Sequence, residues 1–268
     1  MNSITEPSAL PPISKAQQRS AHALLRRKIR GQDGQFLAEG AQAVREAVRA
    51  GQARLVIVAD DFSGLDDVVL ATTPLARATH QQIRELSDSV TPQGIVAVCD
   101  WRPSTLEELP TQPMLVAVCA QIRDPGNLGT VIRCADAFGA DAVIVTHDSV
   151  DVTNPKTVRA SVGSIFHLPI VTDVGFADVI AWCAENSLRS CATQMAGTPL
   201  TQLDLNQPTA WIFGNEAWGL TAEQAAACQQ SVSIPMWGQA ESLNLSTAAA
   251  VCLFASASAQ RGLGQAIH

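Results

Sequence analysis

The chain has 268 residues, of which 47% are hydrophobic and 16% are charged. This length suits two domains of ordinary size, and this balance excludes a disordered chain. No apolar run reaches the roughly 18 residues that a membrane span needs, so we expect no membrane segment. The formal net charge of −7 by itself argues against a nucleic-acid partner.

The charge is unevenly distributed along the chain. Residues 1–54 hold nine Lys or Arg and four Asp or Glu, a net charge of +5, whereas the remainder carries −12. Such an asymmetry predicts a basic binding module joined to a domain with another task. A solvated basic helix explains the charge alone equally well.

The seven cysteines are scattered, and no pair has CxxC spacing. The five histidines are isolated from one another, so we predict neither a zinc site nor a disulfide framework. Free cysteines in apolar runs are typical of a reducing compartment, which predicts the cytoplasm. Residues 1–12 lack the features of a signal peptide, and we expect them to be a loose tail.

The first half of the chain predicts a small α/β unit. A helix is expected over 14–30, with Ser14 as its N-cap and a basic end at 26–28. Further short strands and helices are expected at 36–38, 41–50, 55–58, 68–70, 81–86 and 94–98. Three prolines make 101–113 a predicted linker.

The second half alternates apolar strands with helices. The runs at 114–119, 142–145 and 211–213 are continuously apolar, as expected of parallel strands covered on both faces. After the run at 114–119, apolar residues recur at helical spacing, which predicts a helix. A helix rich in small residues is expected after Asn244. The pattern predicts an α/β domain with a parallel sheet.

Three polar, glycine-bearing segments follow predicted strands. In 124–133, Gly126 and Gly129 allow a tight turn into a helix that carries Arg133, although a surface arginine is the plainer reading. In 212–221, Glu216 follows a strand end, where α/β sheets bind ligands, or it simply faces solvent. In 234–247, helix capping explains one polar residue but not Ser242, Asn244, Ser246 and Thr247 together.

In this order and spacing, the three segments resemble the signature motifs of the SpoU/TrmH family of SPOUT methyltransferases. The motifs are N-L-G-x-x-x-R at 127–133, F-G-N-E at 213–216, and I-P-M followed by E-S-L-N-L-S within 234–246. The stretch 155–163 is also family-like. Residues 27–30 with 36–40 resemble the family's L30e-like substrate-binding domain, so the resemblance starts near residue 18.

The resemblance implies an α/β fold with an L30e-like domain over 1–100 (1–12 being the tail), a linker over 101–113, and a SpoU methyltransferase domain over 114–268. The latter would have a parallel sheet and a deep C-terminal trefoil knot. It also implies an S-adenosylmethionine-dependent RNA ribose 2′-O-methyltransferase that works as a cytoplasmic homodimer without metal. Ribosomal RNA is favoured over tRNA as the substrate.

The resemblance also assigns residues to roles. The cofactor-binding positions are Gly214, Ile234 and Leu243. The catalytic positions are Asn127, Arg133, Glu216, Ser242 and Asn244. The basic cluster Arg26, Arg27, Lys28 and Arg30, which carries most of the local charge excess, is predicted to bind RNA, and Arg159 of the family-like stretch is a further RNA-facing position.

Because a guanidinium stays protonated, Arg133 is better suited to holding phosphate and stabilising an alkoxide than to acting as a base. Trp218 and Trp237 lie within the motif loops and could stack on a base or the cofactor, or pack internally. Two other functions are kept as alternatives. One is a non-catalytic RNA-binding protein of the same fold, and the other is a Rossmann-type oxidoreductase, which the missing GxGxxG disfavours.

Overall fold

A computed structural model describes residues 7–64 and 73–262, so the strand predicted at 68–70 lies outside the described residues. The chain forms two compact units. The first comprises the described residues up to Arg102 together with Asp151–His167, and the second comprises Pro103–Val150 and the residues from Leu168 onward. Residues 151–167 therefore group with the first unit, whereas the continuous domain boundaries expected above stay a prediction.

The first unit contains a four-stranded sheet in the order β1-β4-β2-β3. Its strands are β1 (Gln35–Glu39), β2 (Ala53–Ala59), β3 (Leu75–Ala78) and β4 (Ile95–Asp100). The α-helices described before residue 103 are α1 (Lys15–Ala23), α2 (Arg27–Asp33), α3 (Ala41–Arg49) and α4 (His80–Glu85). Strand β4 is antiparallel to both β1 and β2, and β3 runs parallel to β2. Apart from β3, which was not predicted, and the helix predicted over 14–30, these elements match the expected small α/β unit.

The single helix predicted over 14–30 is in fact two helices. Ser14 caps α1 as predicted, with its side chain accepting from the Gln17 amide, but α1 ends at Ala23. The Arg30 guanidinium donates to the carbonyls of Leu24 and Leu25 at 3.0 and 2.9 Å. These bonds satisfy carbonyl groups at the end of α1, so the chain can turn before α2 begins.

The described part of the N-terminal segment is not the loose tail that was expected. Pro12 forms a β-bridge with Arg77, and Leu10 is buried. The Arg77 guanidinium donates to the Leu10 carbonyl at 3.0 Å, and the Ile13 amide donates to the Arg77 carbonyl at 2.8 Å. Residues 10–13 thus line the free edge of β3, whose backbone groups would otherwise lack partners.

The second unit is built on six parallel strands in the order β10-β8-β9-β5-β6-β7. They are β5 (Leu115–Cys119), β6 (Ala142–Thr146), β7 (Ile170–Val174), β8 (Arg189–Pro199), β9 (Thr209–Phe213) and β10 (Gln230–Ser233). Strands β5, β6 and β9 are buried along their whole length, which confirms the parallel sheet predicted from their apolar runs.

The register of β5 and β9 sets the position of the functional segments. Cys119 pairs with Phe213 at the carboxyl ends of these neighbouring strands, and the Ala120 amide donates to the Phe213 carbonyl at 2.8 Å. The loops that follow the two strands therefore leave the sheet side by side. Such an edge is where parallel α/β sheets bind their ligands.

The α-helices described after residue 103 follow, and the second of them groups with the first unit. They are α5 (Pro125–Ala137), α6 (Pro155–Ser161), α7 (Phe176–Glu185), α8 (Ala222–Ala227) and α9 (Leu245–Arg261). The small residues of α9 allow close packing, since Ala249 and Cys252 are fully buried. The Trp211 indole N–H donates to the Ser256 hydroxyl at 2.9 Å, which satisfies both polar groups in the core. The trefoil knot stays a prediction.

Candidate active site

Two turns meet at the carboxyl edge of the second unit's sheet. The first contains residues 121–124 after β5, and the second contains residues 214–219 after β9. The Asn215 side-chain amide donates to the Gln121 carbonyl at 2.8 Å. The backbone amides of Arg123 and Asp124 donate to the Glu216 carboxylate at 3.1 and 3.0 Å. The two turns are thus joined by hydrogen bonds into one site.

The second turn owes its shape to Gly214 and Asn215. A side chain at Gly214 would overlap the backbone of Gly219 and Leu220, so only glycine fits there. Asn215 and Gly219 exchange backbone hydrogen bonds of 3.0 and 2.8 Å, and the Asn215 side chain accepts from the Ala217 amide at 2.8 Å. Asn215 was not among the predicted site residues, although it lies inside the F-G-N-E motif.

The Glu216 carboxylate is held ionised. Partial burial by itself would raise its pKa. Hydrogen bonds from the backbone amides of Arg123 and Asp124 and from the Asn127 side chain lower the pKa by a larger amount, so the net shift is downward. The carboxylate also lies at the start of α5, where the helix dipole favours a negative charge. Both features fit an anchor better than a proton acceptor, because a general base works best with a pKa nearer neutrality.

Asn127 links the other motif residues. Its Nδ2 donates to Glu216 at 3.2 Å, and its Oδ1 accepts from Asn244 Nδ2 at 3.1 Å. Asn244 caps α9 at the same time, with its Oδ1 accepting from the Ser246 amide at 2.9 Å. The chain Glu216–Asn127–Asn244 therefore joins the three motif segments that the sequence analysis singled out.

Two predicted catalytic residues lie outside this chain of hydrogen bonds. Arg133 is exposed on α5, six residues beyond Asn127, or about 9 Å along the helix axis. Ser242 is exposed before α9. Among the described residues, neither side chain has a hydrogen-bond or ion-pair partner. Arg133 thus lies off the apolar face of its helix, as the sequence predicted, and its guanidinium is available to a ligand.

The predicted cofactor-binding positions lie on segments that follow or precede elements ending at this edge. Gly214 is buried at the end of β9, while Ile234 and Leu243 are half-buried at either end of the loop between β10 and α9. From Ile234 to Leu243, no backbone amide donates to another residue of the described chain. This loop therefore offers free backbone donors and acceptors next to two apolar side chains.

The predicted RNA-binding residues have different surroundings. Arg26, Arg27 and Lys28 are exposed at the start of α2. Arg30 is only 4% exposed and forms an ion pair of 2.6 Å with Asp151, so it does not belong with the exposed set. Arg159 is half-buried and pairs with Glu39 at 3.4 Å and with Asp88. Its RNA-facing role stays a prediction.

Among the described residues, neither a metal cluster nor a reactive thiol stands out. Within the described ranges, no group of three or more His, Cys, Asp or Glu side chains could hold a metal ion. Burial raises the pKa of the Cys228 thiol to about 11 and that of the Cys183 thiol to about 12. Both thiols are therefore protonated at neutral pH and are poor nucleophiles.

Sequence comparison identifies the family. Residues 114–254 match the sequence model of the SpoU rRNA Methylase family, and residues 16–97 match the model of the MRM3-like substrate binding domain. The chain belongs to the SpoU rRNA methylase family. This membership confirms the resemblance that the motifs indicated and leaves the Rossmann-type oxidoreductase without support.

Two relatives of this SpoU-family chain have names that state the nucleotide they methylate. The 23S rRNA (guanosine(2553)-2′-O)-methyltransferase RlmP of Bacillus subtilis is 32% identical, over 85% of this chain and 90% of the relative. The 23S rRNA (uridine(2479)-2′-O)-methyltransferase of Streptomyces viridochromogenes is 31% identical, over 85% and 84%. Because these two relatives modify different nucleosides at similar identity, similarity alone does not specify the target nucleotide.

Solved structures agree with the family. The SpoU methyltransferase AviRb of Streptomyces viridochromogenes, in complex with the cofactor AdoMet, has a TM-score of 0.81 and 30% identity, over 91% of this chain and 97% of that one. The α/β fold with its parallel sheet is therefore that of SpoU methyltransferases. In the part of this chain that the structure describes, no helix is long and apolar enough to cross a membrane.

Proposed function

We propose that this chain transfers the methyl group of S-adenosylmethionine to a ribose 2′-hydroxyl of ribosomal RNA. The observation that carries the proposal is the Glu216–Asn127–Asn244 chain of hydrogen bonds, which joins all three family motifs at one sheet edge. The substrate-binding domain matched over 16–97 and the rRNA-directed relatives support RNA, and rRNA in particular, as the substrate class.

The loop from Ile234 to Leu243 fits the cofactor. An adenine ring needs apolar faces and a few hydrogen-bonding groups at its edge, which half-buried Ile234 and Leu243 and the free backbone groups between them can supply. When bound, S-adenosylmethionine supplies a methyl group that its sulfonium already activates. What this chain must contribute is the alignment of the ribose hydroxyl and stabilisation of the charge that develops on its oxygen.

Arg133 has the chemistry for the second task. Its exposed guanidinium can hold the phosphate next to the target ribose in a two-point grip and place positive charge near the hydroxyl oxygen. A bond forms between that oxygen and the methyl carbon, the bond from methyl carbon to sulfur breaks, and the hydroxyl proton leaves to phosphate or water. Glu216 and Asn244 act as positioning residues that fix Asn127 and the start of α5.

We further propose a homodimer in the cytoplasm. Phe254 on α9 is 56% exposed and lies against Phe138, with ring centroids 5.6 Å apart, which leaves an aromatic pair partly open to solvent. An exposed aromatic on a small-residue helix suits contact with a second copy, as the family resemblance implies. The seven free cysteines and the rRNA-directed relatives support a reducing cytoplasm.

A methyl-transfer assay tests the proposed function. The full-length protein is incubated with radiolabelled S-adenosylmethionine and either rRNA or tRNA from a strain that lacks its gene. We expect incorporation into rRNA, at a ribose that is unmethylated in the deletion strain and methylated in its parent. Binding of cofactor and RNA without incorporation into either RNA would instead establish a non-catalytic RNA-binding protein.

A further inference from the structure

Two exposed side chains lie on the two turns that hydrogen bonds join at the active site. These side chains take no part in those hydrogen bonds. Arg123 precedes Asp124 in the first turn, and Trp218 follows Glu216 by two residues in the second. Arg123 is exposed, and the Trp218 side chain is 57% exposed. Exposed aromatic rings and exposed guanidinium groups are both side chains that nucleic-acid sites use.

The backbone of both turns is ordered, in the second turn by the two hydrogen bonds that Asn215 and Gly219 exchange. Gln121 adopts a left-handed conformation (φ 57°), and its amide lies 3.3 Å from the Thr146 hydroxyl. The carbonyl of buried Ile122 accepts from the Val150 amide at 2.8 Å. Because the turns are already ordered, a ligand that meets Arg123 and Trp218 need immobilise only their side chains, which lowers the entropic cost of binding.

Neither side chain has a partner in the described part of the chain. The Glu216 carboxylate is bonded to the Arg123 backbone, and both of its oxygens already accept N–H groups. No ring contact or hydrogen bond within the described ranges involves the Trp218 indole. The whole chain carries a net charge of −7, so an unpaired guanidinium at this edge is not a consequence of general basicity.

We propose that Arg123 and Trp218 together hold one nucleotide of single-stranded RNA at the reaction site. Arg123 binds its phosphate and Trp218 stacks on its base. Sequence-selective RNA recognition commonly uses unpaired bases stacked on aromatic rings, while a guanidinium matches the geometry of phosphate. The inference rests on the proposed function in taking RNA as the substrate, and it adds two substrate contacts that the motif residues do not supply.

Binding measurements separate the two contacts. Full-length protein with S-adenosylhomocysteine is titrated with a short single-stranded RNA of mixed sequence and with the same backbone made abasic. Trp218→Leu should raise the Kd for the normal RNA about fivefold or more and leave that for the abasic RNA unchanged, since only stacking is lost. Trp218→Phe keeps a ring and should rescue most of the affinity.

Arg123→Gln should act on both RNAs, because both retain phosphates. The slope of log affinity against log salt should fall by roughly one unit for the loss of one phosphate contact. Arg261→Gln is the matched control, since Arg261 is exposed at the far end of α9, about 25 Å along the helix axis from the end that meets the motif turns. It should leave affinity and salt slope at the values of the unaltered protein.

If Trp218 instead contacted a second copy of the chain or the cofactor, other measurements would change. Loss of dimer mass in Trp218→Leu by light scattering would assign the indole to contact with a second copy, and a weaker cofactor Kd with unchanged RNA binding would assign it to the cofactor. Either result overturns the inference, as does equal loss for normal and abasic RNA. Because no methyl transfer is measured, these binding differences could hold even if the proposed methylation failed.

Discussion

Glu216 shows how a single carboxylate serves the site by fixing other groups. Its two oxygens accept from the Arg123 and Asp124 amides and from the Asn127 side chain, at 3.0–3.2 Å. These donors lie on the turn before α5 and on its first residues. A carboxylate so occupied orders that turn, whereas proton abstraction would require it to give up at least one of these bonds.

Replacing this carboxylate should therefore change stability in a pH-dependent way. Because the folded-state pKa of Glu216 is lowered, its contribution is present above the ordinary carboxyl pKa and is lost as the pH falls through the folded-state pKa. At neutral pH, Glu216→Gln should lower the free energy of unfolding by about 1 kcal/mol, a value reduced by solvent exposure.

Urea unfolding at neutral pH and at a pH below the ordinary carboxyl pKa measures this effect. The difference between the variant and the unaltered protein should shrink at the lower pH. Glu185→Gln, at the exposed end of α7, is the control and should show little change at either pH. An equal loss at both pH values would show that the carboxylate charge is not what stabilises the turn.

Arg133 carries the chemical part of the proposed mechanism. Arg133→Ala should leave the cofactor Kd nearly unchanged, because the proposed cofactor positions lie on other segments. Turnover should fall about a hundredfold or more, the usual scale for losing one preorganised charge at a developing oxyanion. Arg133→Lys should restore little, since an ammonium lacks the planar two-point grip on phosphate.

Single-turnover methylation with saturating RNA and cofactor isolates the chemical step of this reaction. If Arg133 were an ordinary surface arginine, the rate would stay near that of the unaltered protein and stability would change by no more than about 0.5 kcal/mol. That outcome would remove Arg133 from the mechanism and leave Asn127, which Glu216 and Asn244 position, as the remaining candidate for a catalytic role.

At the scale of the helices and strands, the junction of α1 and α2 depends on a contact between residues that are far apart in the sequence. Arg30 on α2 pairs with Asp151 at 2.6 Å and donates to the Thr153 hydroxyl at 3.1 Å. The same guanidinium binds two carbonyls after α1. One buried cation therefore fixes the junction of α1 and α2 and secures residues 151–153 on the first unit.

Arg30→Ala should consequently destabilise the first unit strongly. Removing one member of a buried ion pair leaves Asp151 without its partner, and such changes cost about 3–5 kcal/mol. Arg27→Ala removes an exposed charge three residues earlier and should stay within about 0.5 kcal/mol. Thermal or urea unfolding compares the two variants. Equal stabilities would contradict the buried role of Arg30.

The exposed basic residues at the start of α2 should affect RNA binding and not the stability of the fold. Replacing Arg27 and Lys28 together with Gln should reduce the slope of log RNA affinity against log salt by roughly 1–2 units, because each phosphate contact contributes somewhat less than one. Unfolding should be unaffected, which separates this pair from Arg30. An unchanged slope would show that this part of α2 is only a solvated surface.

At the scale of the whole molecule, the proposed homodimer is the main prediction. Light scattering over a dilution series should give twice the 28.3 kDa chain mass. Phe254→Glu places a charge on the exposed aromatic of α9 and should shift the mass toward the monomer if this helix forms the interface. Lys156→Glu, a charge change at an exposed position of α6, serves as a control. A monomer at every concentration would contradict the proposal.

Continuous apolar runs made much of the second unit predictable. Strands β5, β6 and β9 are buried on both faces, so their sequences carry an unmistakable pattern, and helices α5 and α9 show helical spacing or a run of small residues. Strands β8 and β10 were not predicted, since they mix polar, half-buried and exposed positions. A strand whose burial is neither continuous nor alternating leaves no regular pattern of apolar residues in the sequence, so it cannot be predicted from one.

The sequence by itself determined the family and the residue types of the site, because the motifs are local and their spacing is fixed. It did not determine which of those residues touch. Asn127 meets Glu216 and Asn244 across separations of 89 and 117 residues, and Arg30 meets Asp151 across 121. Those contacts depend on strand order and register, which only the packed sheets decide. The same packing buried Arg30, left Arg133 exposed, and left Arg123 and Trp218 open at the site.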